Sequence, residues 1–364
     1  TPDKFLLSDI NLAPIGSGAY QFRSMEKDSS GNILSIELRS FKEYYDGEAY
    51  IPKFIFSFYP DQETLLAAYN KKEVIGIHSI MSTEKERVSE QKSSHIYRIA
   101  IPRVFAVFVN TTESKPLAYD EVRQGLAYAT DREAIVREVL GGEGVSATSA
   151  FMPFMEGFAS DVETPHFDQS KANQILDDAG WKKGDDGIRS KDGTPLEIEL
   201  SIPTWPEIEK SAELLKVQWE AIGARVSVVP YSPADLQKNI VKSREYQSML
   251  FGQAASLSSD PYSFWHSSQK ADPGLNIGMF DNKDADGILE SLREEMDPEK
   301  RREGYKAFQQ ILASENPAIF LYSPNYLYVM SNTVKGMNVT AVNNPSYRLS
   351  NASKWYIDTK RVFK

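Results

Sequence analysis

The sequence predicts an α/β protein of two lobes, with mixed sheets flanked by helices. Three observations carry this. The chain has 364 residues, more than one ordinary hydrophobic core organises. Residues 196–202, 207–223 and 225–229 read as strand, one-sided helix and strand, a βαβ unit that sets two parallel strands side by side through a right-handed crossover. Beyond it the alternation continues, with a helix expected over 233–243 and a strand over 246–252.

Local signals set the elements in order. Residues 33–38 and 54–58 alternate in part between apolar and polar, as half-buried strands do. Asp61 caps a helix running to about Asn70. Residues 74–77 form a short buried strand. The apolar stretch 96–110 is broken at Pro102, whose missing N–H marks a strand edge or a crossing between lobes. A single helix is expected over 119–140, stopped by Gly141 and Gly142. Asp168 starts the next, which ends at Gly180. Two turn signals, Asp186-Gly187 and Asp192-Gly193, predict a hairpin over 184–193. In the helix of the βαβ unit, Ile208, Ala212, Leu215, Trp219 and Ile222 recur at three-to-four spacing. Charged helices over 284–296 and 298–314 precede a return to strand over 318–330.

Composition narrows the function. Hydrophobic residues at 41% and charged residues at 25% fit a folded globular chain and not a disordered one. No apolar run approaches the length that crosses a bilayer. The net charge of −10 gives no general attraction to phosphate backbones, so nucleic acid is not an expected partner. Cysteine is absent, which excludes disulfides, thiolate metal sites and a cysteine nucleophile. Thr1 to Phe5 show neither a basic nor an apolar leader region, so no signal peptide is read there.

Enzyme signatures are missing. Gly16-Ser17-Gly18-Ala19-Tyr20 lacks the third glycine and the strand–helix context of a dinucleotide site, and reads as a turn before a strand. No Walker loop, G-x-S-x-G or H-E-x-x-H occurs. His78, His95, His166 and His266 are dispersed, and the acidic run at 185–192 lacks the order of a calcium loop. No catalytic residue, metal or cofactor is therefore expected. One segment differs from ordinary surface. Residues 260–269 pack aromatics, an imidazole, hydroxyls and an amide together just after a predicted strand. Ligands bind beyond the carboxyl ends of parallel strands, and rings with a few polar tips line organic-ligand pockets. The competing reading is that Phe264 and Trp265 are core beneath a loop.

Several blocks in order resemble the extracellular solute-binding proteins of family 5, which serve oligopeptide, dipeptide and nickel importers. Residues 14–22, Pro-Ile-Gly-Ser-Gly-Ala-Tyr-Gln-Phe, are similar to the family's Gly-Thr/Ser-Gly-Pro/Ala-Tyr-x-Phe block. Phe41 to Tyr45 stand where its Asn-x-x-Tyr-Trp stands. Residues 122–135, VRQGLAYATDREAI, are similar to its V-R-Q-A-L-x-Y-A-x-D-R-E-x-I helix. Residues 171–181 resemble K-A-x-x-L-L-x-x-A-G-W, and 262–269 with 274–278 resemble its F-W-H-S-S-Q and G-x-N blocks.

The resemblance implies a two-lobed periplasmic-binding-protein-like fold of class II type, with hinge crossings between lobes. It places lobe I at 1–107 and 325–364 and the second ligand-gripping lobe at 108–324, and implies that a further N-terminal segment of the family is not represented. It implies an extracytoplasmic component of an ABC importer, periplasmic or at the cell surface, that binds a peptide or similar solute in an interlobe cleft without converting it. Its partners would be the solute and the permease's transmembrane subunits, with the membrane involved only through a lipid anchor. On this reading Trp265, Phe264 and Tyr262 are flat walls. His266, Asn276 and Gln253 are polar orienters and Asp260 is a cation partner. Tyr322, Tyr326 and Asn110 lie near the crossings. Counting back three from Asp260, to where the family's peptide binders place an amine-holding acid, gives Leu257, which offers no charge. The rival expectations are a hydrolase, which needs a nucleophile–base pair, and a sensory or chaperone-like module on the same fold.

Overall fold

The computed structural model describes residues 11, 13–89, 93–257 and 260–357; Thr1 to Phe5, read above for a leader, lie outside them. The chain divides into two compact units, Thr1–Ile99 with Tyr326–Lys364, and Ala100–Asn325. The α/β class, with mixed sheets flanked by helices, is the one the sequence predicts.

Unit 1 opens with an antiparallel meander of β1 (Tyr20–Lys27), β2 (Ile33–Ser40) and β3 (Lys53–Ser57). Helix α1 (Gln62–Asn70) starts where Asp61 accepts a hydrogen bond from the Thr64 N–H, as its cap signal predicts. Strands β4 (Gly76–Ile77) and β5 (Ser94–Ile99) follow.

Unit 2 begins with β6 (Arg103–Val109). The single helix expected over 119–140 is two, α2 (Asp120–Ala129) and α3 (Arg132–Val139). The break is chemical. Thr130 is extended, with its hydroxyl donating to the Leu126 carbonyl, and Asp131 caps α3 by accepting from the Ala134 N–H. Arg132 turns inward, where its Nε donates to the Phe320 carbonyl at 2.7 Å and its Nη1 to the carbonyls of Ala127, Thr130 and Pro165. The Asp-Arg pair of the recognisable motif thus holds the fold.

Strand β7 (Gly144–Ser146) and helix α4 (Gln169–Asp178), capped by Asp168, come next. The predicted hairpin is a small three-stranded sheet, β8 (Lys182–Lys183), β9 (Arg189–Lys191) and β10 (Thr194–Pro195). Its second turn needs left-handed backbone at both Asp192 (φ 50°) and Gly193 (φ 72°), which suits the Asp-Gly pair.

The βαβ unit is β11 (Glu197–Pro203), α5 (Pro206–Glu220) and β12 (Arg225–Tyr231), the strands parallel in register. Strand β13 (Ser248–Ala254) lies parallel on the other side of β11. The stretch expected as a helix over 233–243 is one turn, Pro233–Asp235, followed by π-helix over Leu236–Val241. Helices α6 (Tyr262–Trp265), α7 (Lys283–Glu294) and α8 (Pro298–Glu315) precede β14 (Ala318–Pro324). The sheet runs β12-β11-β13-β6-β14-β7, its β6, β14 and β7 pairings antiparallel.

The expected strand over 318–330 is split between units. Pro324 has no N–H to continue a ladder, Asn325 donates to the Glu143 carbonyl, and β15 (Tyr326–Ser331) then pairs between β4 and β5 in unit 1. The first boundary also moves. The expected division at 107/108 falls instead at Ile99/Ala100, because β6 is hydrogen-bonded to β13 on one side and β14 on the other. Strands β16 (Val334–Lys335) and β17 (Tyr356–Ile357) close unit 1.

Two apolar layers sandwich the six-stranded sheet. On one face Ile208, Ala212, Leu215 and Trp219 of α5 pack with Ile198, Leu200, Ile202, Val107 and Leu250. On the other, α7 and α8 bring Leu289, Leu292, Phe308 and Leu312 against Val104, Ala106, Phe108 and Phe320. Each such large apolar side chain contributes about 1.5–3 kcal/mol on burial.

Candidate functional site

The aromatic segment 260–269 does fold into one cluster with Asn276, but the cluster is interior packing of unit 2. Trp265 is 1% exposed and its ring lies 5.9–6.4 Å from those of Phe108, Phe280, Phe308 and Phe320. A ring so placed packs in the core of unit 2, as the competing reading of the segment has it. Asn276 is wholly buried. Its amide donates to the His266 and Phe280 carbonyls and its Oδ1 accepts from the Phe280 N–H, which leaves nothing to orient a ligand.

The rest of the cluster is also engaged internally. His266 Nδ1 accepts from the Ser268 N–H, so its proton sits on Nε2, 3.3 Å from Glu290 Oε1. Tyr262 stacks on that imidazole at 4.2 Å and carries the Arg293 guanidinium over its ring. Asp260, expected to meet a ligand cation, already pairs with Arg293 at 3.0 Å. Phe264 is half-buried against the α7–α8 layer.

The other expected residues are scattered. Asn110 follows β6 at the end of the sheet opposite Gln253, as the β6–β13 register requires. Its amide donates to the Arg244 carbonyl and its oxygen accepts from Thr112. Tyr322 is buried, stacked on Phe105 at 5.1 Å and 3.2 Å from the Ser211 hydroxyl. Tyr326 belongs to unit 1, its hydroxyl 2.8 Å from His78 Nδ1.

Gln253 is different. It is 6% exposed and its Oε1 is buried with no hydrogen-bond partner among the described residues, an arrangement that costs about 1–3 kcal/mol unless something donates to it. It stands at the carboxyl end of β13, beside the ends of β11 and β12, where open parallel sheets bind ligands. Three neighbours there escaped the sequence reading. Trp205, between β11 and α5, is 41% exposed and stacks on Phe251 with centroids 6.0 Å apart and planes 25° off parallel. Glu207, in the first turn of α5, is half-buried; its carbonyl accepts from the Ser211 hydroxyl, and its carboxylate has no hydrogen-bond or ion-pair partner among the described residues. Burial pushes its carboxyl above the ordinary glutamate range, against an opposing pull from Arg103. The run Thr204-Trp205-Pro206-Glu207 carried a usable signal, an aromatic and an acid directly after a strand of the βαβ unit.

This end of the sheet therefore offers a flat aromatic surface with Gln253 on the Phe251 face, while Glu207 stands at the start of α5, which packs on the other face. A hydroxyl pair, Ser211 with Tyr322, lies on the α5 side 3.2 Å apart. Among the described residues no group of three His, Cys, Asp or Glu side chains could hold a metal ion.

A family model, that of the bacterial extracellular solute-binding proteins, family 5 middle region, matches residues 2–274. The chain belongs to this family. Among family 5 relatives, the oligopeptide-binding protein AppA of Bacillus subtilis is 28% identical over 351 residues, covering 94% of this chain and 62% of AppA. The dipeptide-binding protein of Escherichia coli is 27% identical, covering 92% of this chain and 60% of that protein. The chain thus spans about three-fifths of the length of these relatives. The solved structure of Bacillus subtilis AppA in complex with a nonapeptide superposes with a TM-score of 0.72 at 25% identity, covering 98% of this chain and 69% of that one.

Proposed function

We propose that the chain is the greater part of an extracytoplasmic solute-binding component of an ABC importer, periplasmic or cell-surface, that takes a peptide or a similar small organic solute and does no chemistry on it. The observation that carries the reading is the unpaired acceptor chemistry beside an exposed ring at the strand ends of unit 2. Among the described residues Gln253 Oε1 lacks a donor, and the Trp205–Phe251 stack beside it supplies apolar area, which together suit a donor-bearing organic solute. Relatives that bind oligopeptides and dipeptides support the class of solute. Binding is reversible, and the solute shifts the protein toward its bound conformation only by the difference in its affinity for the two states. A permease is the partner this role requires.

Native mass spectrometry of the full-length protein tests the proposal. The expected result is co-purified or added peptide held stoichiometrically and released unchanged. Peptide cleavage in the same sample, or neither a co-purified organic solute nor binding from a mixed-sequence peptide pool, overturns it.

A further inference from the structure

Strands β11 and β13 lie parallel in the sheet of unit 2, yet their ladder ends early. Its register runs through Leu200–Ser248 and Ser201–Met249, whereas β11 pairs with β12 as far as Pro203–Tyr231. Beyond Ser201, β11 and β13 therefore run on without rungs between them, at the carboxyl ends where open parallel sheets admit ligands. Two buried polar atoms stand along this opening, and neither has a hydrogen-bond partner among the described residues: Ser201 Oγ, at the last rung, and Gln253 Oε1, near the end of β13. Native interiors leave few such atoms unmatched.

Both belong to the face of the sheet turned away from α5. Leu200 and Ile202 of β11, Val226 of β12 and Leu250 of β13 pack into the α5 layer, so strand alternation puts Ser201, Pro203, Tyr231, Phe251 and Gln253 on the other side. Rings dominate there. Trp205, just past β11, stacks on Phe251 of β13 and so spans the gap in the ladder. Tyr231, at the end of β12, packs with Phe251 against one small core. Trp205 is exposed, which leaves a flat indole face open beside them. The polar side chain at the rim, Gln253, is uncharged, and Glu207 starts α5 on the opposite face.

We propose that this shelf seats an aromatic side chain of the solute, stacked on the open face of Trp205. The inference rests on the solute-binding reading above and narrows it, from organic solutes at large to peptides that carry phenylalanine, tyrosine or tryptophan. Aromatic rings pair in offset or edge-on arrangements and gain free energy beyond the area they bury, whereas an aliphatic side chain gains the area alone. A cation is also drawn to an indole face, but the rim group here, Gln253, offers it no counter-charge.

Calorimetry on the full-length protein tests this with pools of tripeptides, each built from alanine and one variable residue at any position. The variable residue is Phe, Tyr or Trp in the aromatic pool, Leu, Ile or Val in the aliphatic pool, and Lys or Arg in the basic pool. The wild-type protein should bind the aromatic pool about tenfold more tightly than the aliphatic one. Trp205→Leu, which keeps apolar bulk and loses the flat face, should bring that ratio to about one, and Trp205→Phe should fall between. A wild-type ratio near one, with both pools bound, overturns the shelf and leaves the solute-binding reading standing. Tightest binding of the basic pool overturns it too, as does a Trp205→Leu protein that still prefers aromatic peptides. Should a variant fail to fold, the wild-type order of the pools decides alone. Binding of none of the pools removes the peptide reading itself, and the shelf assignment falls with it.

Discussion

The Trp205 ring lies parallel to within 25° of the Phe251 ring, with centroids 6.0 Å apart, and Trp205 is exposed. Trp205 caps α5 by position only, since its side chain makes no capping hydrogen bond. Its removal should therefore touch stability lightly and binding heavily. Trp205→Ala is expected to lower the melting temperature by about 2–4 °C, the equivalent of about 1 kcal/mol for one exposed aromatic contact. Peptide affinity should fall about tenfold, the equivalent of 1.4 kcal/mol. Calorimetric titration beside a thermal melt reads both. Unchanged affinity would move the binding surface away from the β11–β13 strand ends.

Trp265→Ala should show the opposite pattern. Four rings surround this indole, and the cavity left behind would lie between α8 and the sheet. A loss of about 3–5 kcal/mol is expected, seen as an earlier urea midpoint at unchanged slope. Affinity, measured on the fraction still folded, should change far less than in Trp205→Ala. A variant of wild-type stability with abolished binding would return Trp265 to the ligand's side.

These two tryptophans show how far the sequence could be read. The βαβ unit is legible because Ile208, Ala212, Leu215 and Trp219 of α5 recur every three to four positions and face one layer. Asp61, Asp131 and Asp168 sit at helix starts because a short acceptor side chain satisfies a free N–H there, though only Asp61 and Asp168 were read as caps. Local signals of this kind survive folding unchanged. The Tyr262–Gln269 segment did not yield to the same reasoning, since a pocket lining and a core under a loop are built from the same residue types. What separates them is the packing of α7 and α8 onto the sheet, a contact between segments far apart in sequence. Glu207 was overlooked for a related reason. An acid in the first turn of a helix is ordinary, and only the tertiary fold reveals that this one is half-buried and unpaired.

Arg132 supplies a third expectation. It ties the start of α3 to β14 through Phe320 and to the 160s loop through Pro165, and burial lowers its pKa to about 10. Arg132→Met would leave those carbonyls dry and unpaired, at a cost of at least about 2–3 kcal/mol. Arg132→Lys restores a donor but cannot reach four acceptors, so its urea midpoint should lie between methionine and wild type. Equal stability of all three proteins would show that the carbonyls find other donors.

Glu207 makes stability depend on pH with a definite sign. Burial raises its folded pKa above the unfolded value, so between those two values the folded protein holds more protons than the unfolded chain. Stability then falls as pH rises through this interval, which opens near the ordinary glutamate pKa of about 4.3. Above it the native state carries a half-buried carboxylate without a partner. Glu207→Gln removes the titration and keeps the shape. The variant should melt about 2 °C above wild type at pH 7 and level with it near pH 4, where both side chains are neutral. Melting curves at half-unit steps between pH 4 and 8 check this, and a variant that melts lower at pH 7 would mean that the carboxylate has found a donor. The same substitution should weaken binding of amine-bearing peptides at pH 7, because the charge that destabilises the free protein is the one available to a cationic solute.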